Sequence, residues 1–237
     1  MKSIKRHASS ILLSVLITLS APGCGSGGGG GGGGASTFEG TIAASDGKTG
    51  VLQITLPAGA AALTTDQAAA GASSVTGTLT LADGGGVIEL SGSYDSGTGD
   101  LTLTGGGYAF TGSVGKGEIS GTFTGPGGST GGFTGLDSTT STVTTYCGTF
   151  SSSEETGVFN TQASSNGDAS GTATNVTGPR TGLTVLLSGT ITGNVIDLVT
   201  SEGVHIPGTV SGTTVSGSFI GKSDLLINYT GSTSGCE

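Results

Sequence analysis

Tryptophan is absent from this 237-residue chain, charged residues make up only 10% of it, and it contains a single methionine. Lys and Arg number 7 against 16 Asp and Glu, a formal charge of −9. A sparse, negative charge excludes a nucleic-acid binder, which needs a basic field, and equally a charge-rich disordered chain. The one long apolar stretch, residues 11–19 (ILLSVLITL), falls well short of the ~20 residues that a membrane-spanning helix requires. Glycine is what the chain has instead, 50 residues in all. At about 1 kcal/mol per helical position relative to alanine, that content excludes an all-helical protein. With the Ser, Thr, Val, Leu and Ile around it, the composition is that of many short strands joined by tight turns.

Residues 1–23 read as an export signal. Lys2, Lys5 and Arg6 form a positive start, residues 11–19 the apolar segment, and Ala21, Pro22 and Gly23 a small-residue site before Cys24. This resembles the lipobox signal of bacterial lipoproteins, although Ala21 stands where that family favours leucine. The resemblance implies that Cys24 is lipidated and begins the mature chain. Gly25, where an inner-membrane retention signal would place aspartate, implies an outer membrane in a cell that has one. The alternative is an ordinary signal that leaves Cys24 as an exposed thiol.

Residues 24–36 then read as the anchor and a tether. The run of eight glycines, 27–34, behaves as a flexible coil reaching about 15–20 Å, or else is a tract without a role. With Cys24 lipidated, Cys147 and Cys236 remain as one pair, to be joined in an oxidising compartment. Closing their 89-residue loop contributes about 4–4.5 kcal/mol in the chain-entropy model. Without the signal, four basic residues face sixteen acidic ones, which disfavours lying flat on anionic lipid.

The remainder is duplicated. Residues 112–125 (GSVGKGEISGTFTG) align without gaps on 208–221 (GTVSGTTVSGSFIG), and Phe133-Thr134-Gly135 falls on Tyr229-Thr230-Gly231 at the same offset of 96. Residues 38–42 match 146–150, 49–52 match 156–159 and 90–93 match 187–190, all in order. The expected organisation is one module over 37–136, a linker over 137–145 and a second module over 146–237. Apolar residues alternate with Ser and Thr at a period of two, as in half-buried antiparallel strands. Glycine recurs on the apolar face, in Val75-Gly77-Leu79 or Ile119-Gly121-Phe123 for example, marking close approach or sharp bends. Strongly coiled, closed ribbons need both.

The fold expected is therefore all-β, with two tandem up-and-down antiparallel barrel-like modules of about seven or eight strands each. A two-sheet sandwich or one large barrel is the alternative. The meander loosely resembles the calycin class of lipocalin-like and avidin-like small barrels. That implies an apolar ligand held inside by residues such as Leu90, Tyr94, Tyr108, Phe110, Phe123, Leu187, Ile206 and Phe219. Calycins use tryptophans absent here, so no family binding residue carries over.

Catalytic and metal chemistry finds little support. His205, the sole histidine after the signal, sits between Val204 and Ile206 and reads as an outward strand residue. Ser129 stands in a G-x-S-x-G match over 127–131 but in a hairpin rather than a strand–turn–helix. Residues 217–223 miss the phosphate-loop spacing by one residue. Asp95 and Asp100 flank a turn and are too few oxygen ligands for calcium. Asn175 and Asn228 stand in glycosylation sequons, relevant only to a eukaryotic route. The alanine-rich segment 57–73, absent from the second module, is a plain insertion or a lid. The reading is a non-catalytic, exported, lipid-anchored protein without cofactor or metal, binding a small apolar ligand or a surface protein or glycan. The alternative is a structural or adhesive spacer.

Overall fold

A computed structural model describes residues 34–58, 72–115 and 117–236. The segment read as an export signal, the expected lipidation site Cys24, nearly all of the glycine run and most of the alanine-rich segment lie outside the described residues. Sixteen strands form two closed barrels, each an eight-stranded antiparallel meander. The first comprises β1 (Ser36–Ala44), β2 (Thr49–Leu56), β3 (Ala72–Leu81), β4 (Val87–Asp95), β5 (Asp100–Gly105), β6 (Tyr108–Gly115), β7 (Glu118–Thr124) and β8 (Thr130–Asp137). The second comprises β9 (Val143–Ser151), β10 (Thr156–Ser164), β11 (Asp168–Thr177), β12 (Thr184–Thr192), β13 (Val195–Thr200), β14 (His205–Ser211), β15 (Thr214–Ile220) and β16 (Leu226–Ser232).

Glycine is what lets eight short strands close. Gly112 of β6 and Gly121 of β7 are direct cross-strand partners on the inner face. A Cβ on Gly112 would stand 2.2 Å from the Ser120 carbonyl oxygen, and on Gly121 2.7 Å from the Phe133 ring. The Phe133 ring therefore lies flat over space that two missing side chains leave, and the ladder bends sharply there. Ninety-six residues later the device recurs. A Cβ on Gly208 would be 1.8 Å from the Tyr229 hydroxyl oxygen and one on Gly217 2.6 Å from its ring. That hydroxyl donates to the Pro207 carbonyl at 3.1 Å. The repeat seen in the sequence is a repeat of this packing unit.

Closure brings first and last strands together. In the first barrel β8 pairs with β1 from Phe38↔Asp137 to Ala44↔Gly131. In the second, β16 meets β9 at Tyr229↔Phe150 through Ser232↔Cys147. A short 3₁₀ turn, Thr233–Cys236, then folds Cys236 back onto Cys147, and the two form a disulfide with Cα atoms 5.1 Å apart. The bond pins the seam of the second barrel from outside.

The two barrels pack side by side as one compact unit. Outward residues of β1 and β8 meet those of β10 and β11, and the contact is polar although buried. Gln162 Oε1 accepts from Thr134 Oγ1 at 2.9 Å and from Ser170 Oγ at 3.3 Å, while its Nε2 donates to Thr41 Oγ1. Thr174 Oγ1 donates to the Ala43 carbonyl at 3.0 Å. Asn160 Oδ1 accepts from Thr172 Oγ1 at 3.1 Å, whereas Asn160 Nδ2 is buried without a partner among the described residues. The Ser/Thr faces expected to meet water are buried along this flank, where their hydroxyls bond to one another and to Gln162.

A hollow second barrel with an ion pair at its open end

Strand register places the two barrels in correspondence. Gly50↔Leu81, Leu52↔Leu79 and Ile54↔Gly77 in the first answer to Gly157↔Asn175, Phe159↔Ala173 and Thr161↔Gly171 in the second. Hence Leu79, Leu81 and Ile54 give way to Ala173, Asn175 and Thr161. By the same reasoning Phe110, opposite Leu103, is replaced by Ile206, opposite Leu198. Tyr108 and Val204 correspond at the offset of 96. Larger residues at Phe150 and Phe159 offset only part of the lost volume.

The consequence is a filled barrel and a hollow one. In the first, Tyr108, Phe110, Phe123 and Phe133 pack ring on ring with centroids 5.3–6.2 Å apart. In the second, a cavity of about 90 Å³ runs in from one end. Its inner wall is mainly apolar and includes Phe150, Phe159, Leu187, Leu198, Ile206, Phe219 and Tyr229. Its mouth is formed by Glu155 before β10, Arg180 and Leu183 between β11 and β12, Glu202 and Val204 between β13 and β14, and Lys222 between β15 and β16. Around this opening Leu183, Val199, Ile220 and Leu226 are exposed.

An ion pair is set into this apolar wall. Ser152 anchors the turn before β10, its Oγ accepting from the Glu155 amide at 3.2 Å, and the Glu155 carboxylate turns inward, only 3% exposed. Arg180 meets it with both Nε, at 3.0 Å, and Nη2. Asn175 Nδ2 adds a third donor at 3.2 Å. The Arg180 loop is held close by Gly178 (φ 97°), where a Cβ would lie 2.5 Å from the Glu154 carbonyl oxygen. The adjacent carboxylate pushes the Arg180 guanidinium pKa up. A forked, three-donor arrangement offsets the cost of burying a carboxylate. Further out, Lys222 Nζ pairs with Glu202 Oε2 at 3.4 Å. Burial pushes the Tyr229 hydroxyl up to about 12, so it stays protonated as a donor.

The expected ligand residues divide between the barrels. Leu187, Ile206 and Phe219 line the cavity. Leu90, Tyr94, Tyr108, Phe110 and Phe123 belong to the packed core of the first barrel. Glu155, Arg180 and the inward role of Asn175 escaped the sequence reading. The signal available was that Arg180 is the only arginine after Arg6. Asn175 is 6% exposed and committed to Glu155, so this sequon presents no free amide.

His205 lies on the outer face of β14, its Nε2 2.6 Å from Asp197 Oδ1. Ser129 follows a 3₁₀ turn between β7 and β8 and donates to the Pro126 carbonyl at 3.3 Å. Asp95 and Asp100 serve their own turn, accepting from the Gly97 amide at 2.8 Å and the Thr98 hydroxyl at 2.7 Å. Among the described residues no group of three or more His, Cys, Asp or Glu is placed to hold a metal ion. No protein-family model matches the chain, and no curated protein matches it.

Proposed function

We propose that this is an exported, lipid-anchored, non-catalytic binding protein whose second barrel takes the apolar end of a small molecule through its open mouth. The observation that carries the reading is the contrast between two copies of one fold, one packed solid and one hollowed by Leu79, Leu81 and Phe110 becoming Ala173, Asn175 and Ile206. A cavity of about 90 Å³ is smaller than the roughly 150 Å³ that admits a benzene ring. It suits the tip of an alkyl chain, with the rest of the ligand lying across the mouth and its exposed apolar collar. A sterol or a whole lipocalin-type ligand is too large.

The far end of β1 lies beside the mouth, a Cβ on Gly182 falling 3.9 Å from Ser45 Cβ. The chain enters β1 at Ser36, nine strand residues and about 25 Å away.

The test is thermal unfolding of the mature chain with butanol, hexanol and octanol, beside mass spectrometry of its N-terminus. A rise in Tm with one of the alcohols, and a diacylglyceryl group on Cys24, support the two halves of the reading. No rise with any alcohol overturns the binding half, and an unmodified Cys24 overturns the anchor. The solid first barrel favours a spacer role for that module.

A further inference from the structure

We infer that the ligand of this mouth is electrically neutral and carries a hydrogen-bond acceptor, such as an ester or ketone, next to its alkyl tip. This rests on the binding reading above and deepens it. The charges at the mouth cancel in pairs, Arg180 with Glu155 and Lys222 with Glu202. The four basic residues after the signal face sixteen acidic ones, so the surrounding field is negative and an anion gains nothing by approaching.

The inner carboxylate of the mouth is committed. Glu155 already receives three N–H bonds. Thr200 Oγ1 receives the Val204 amide at 3.0 Å, which leaves its hydroxyl proton to give. Arg180 spends Nε and Nη2 on Glu155, and its Nη1 has no partner among the described residues. Unused donors beside an apolar cavity select an acceptor, and the paired carboxylate removes the attraction that a bare guanidinium would have for a carboxylate ligand.

The experiment compares methyl hexanoate, hexanol, hexanoate and hexylammonium at pH 8 and low salt, by Tm shift of the mature chain. The ester is expected to act at concentrations at least tenfold lower than hexanoate or hexylammonium. Glu155→Gln, which leaves Arg180 uncompensated, is expected to raise the response to hexanoate at least tenfold relative to the ester. The double variant Glu155→Gln, Arg180→Met keeps the mouth neutral but removes the donor, and should weaken the ester roughly tenfold. Hexanoate or hexylammonium matching the ester on the unaltered protein, with hexanol active, overturns this inference and leaves the cavity reading standing. No response to any of the four overturns both. The comparison on the unaltered chain decides even where a variant fails to fold.

Discussion

Leu81 and Asn175 occupy the same station in the two barrels, each paired across the ladder with a glycine of the preceding strand, Gly50 and Gly157. One fills its barrel, and the other turns a polar group toward Glu155. Two residues earlier Leu79 corresponds to Ala173, which lines the cavity. Restoring the larger residue, Ala173→Leu, is expected to close the cavity. The variant should lose the Tm rise seen with hexanol while its own stability increases by about 0.5–2 kcal/mol. Both are read from urea unfolding with and without the alcohol. A variant that still responds to hexanol would show that the alcohol binds elsewhere.

Gly217→Ala introduces a methyl 2.5 Å from the Pro207 carbonyl oxygen and 2.6 Å from the Tyr229 ring. It should cost about 1–3 kcal/mol or more, because neither the ladder nor the buried ring has room to move. Gly115→Ala, at a position with nothing within 4 Å, serves as the control and should change stability by about 0.5 kcal/mol or less. Equal effects at the two sites in denaturant unfolding would remove close approach as the reason for these glycines.

Glu118 gives stability a particular dependence on pH. Its carboxyl, half-buried on β7 against the second barrel, is pushed up to about 7, first by burial and then by the nearby Asp168, with the neighbouring Ser170 hydroxyl opposing. Asp137 lines the same inter-barrel space, and across the ladder Glu118 faces Gly115 and Leu136. A raised carboxyl means that between about pH 4.5 and 7 the folded protein keeps a proton that the unfolded chain has released. This contribution therefore destabilises as pH rises through that window. After allowance for partial exposure it amounts to about 1–2 kcal/mol. Glu118→Gln should match the parent near pH 4.5 and exceed it at pH 8. Parallel urea midpoints for the two proteins across that range would refute the assignment.

Reducing the Cys147–Cys236 bond, or replacing both residues with serine, should lower stability by about 4.5 kcal/mol on the chain-entropy account of an 89-residue separation. Amide exchange should accelerate first in β9 and β16, whose shared seam the bond holds, and remain slow in β4 to β6 of the first barrel. Uniform acceleration through both barrels would mean that the bond stabilises the unit as a whole rather than its seam.

Closure was legible from the sequence because it depends on local signals. Alternation and turn glycines lie within a few residues of one another, the repeat restates them at an offset of 96, and the positions of Cys147 and Cys236 marked first and last strands. Less legible was β11, Asp168–Thr177, whose alternation sets only small residues against polar ones. Its inner side is small (Ala169, Gly171, Ala173) and its outer side polar (Ser170, Thr172, Thr174). It is a strand because its neighbours supply the ladder, and its hydroxyls are buried because the other barrel covers them. The cavity was hidden for a related reason. It arises from what Ala173, Thr161 and Asn175 do not fill, and that becomes visible only when register sets them against Leu79, Ile54 and Leu81. Glu155 and Arg180, 25 residues apart in neighbouring loops, carry no shared motif.

The buried amide of Gln162, shared among Thr41, Thr134 and Ser170, makes each copy of the duplication lean on the other. Either half expressed alone would expose a flank shaped to be answered by its sister, with its hydroxyls and amide turned to solvent. A lineage that kept one copy would have to redesign that flank before it could again stand as a single bead, which leaves the solid barrel as the obligate companion of the hollow one.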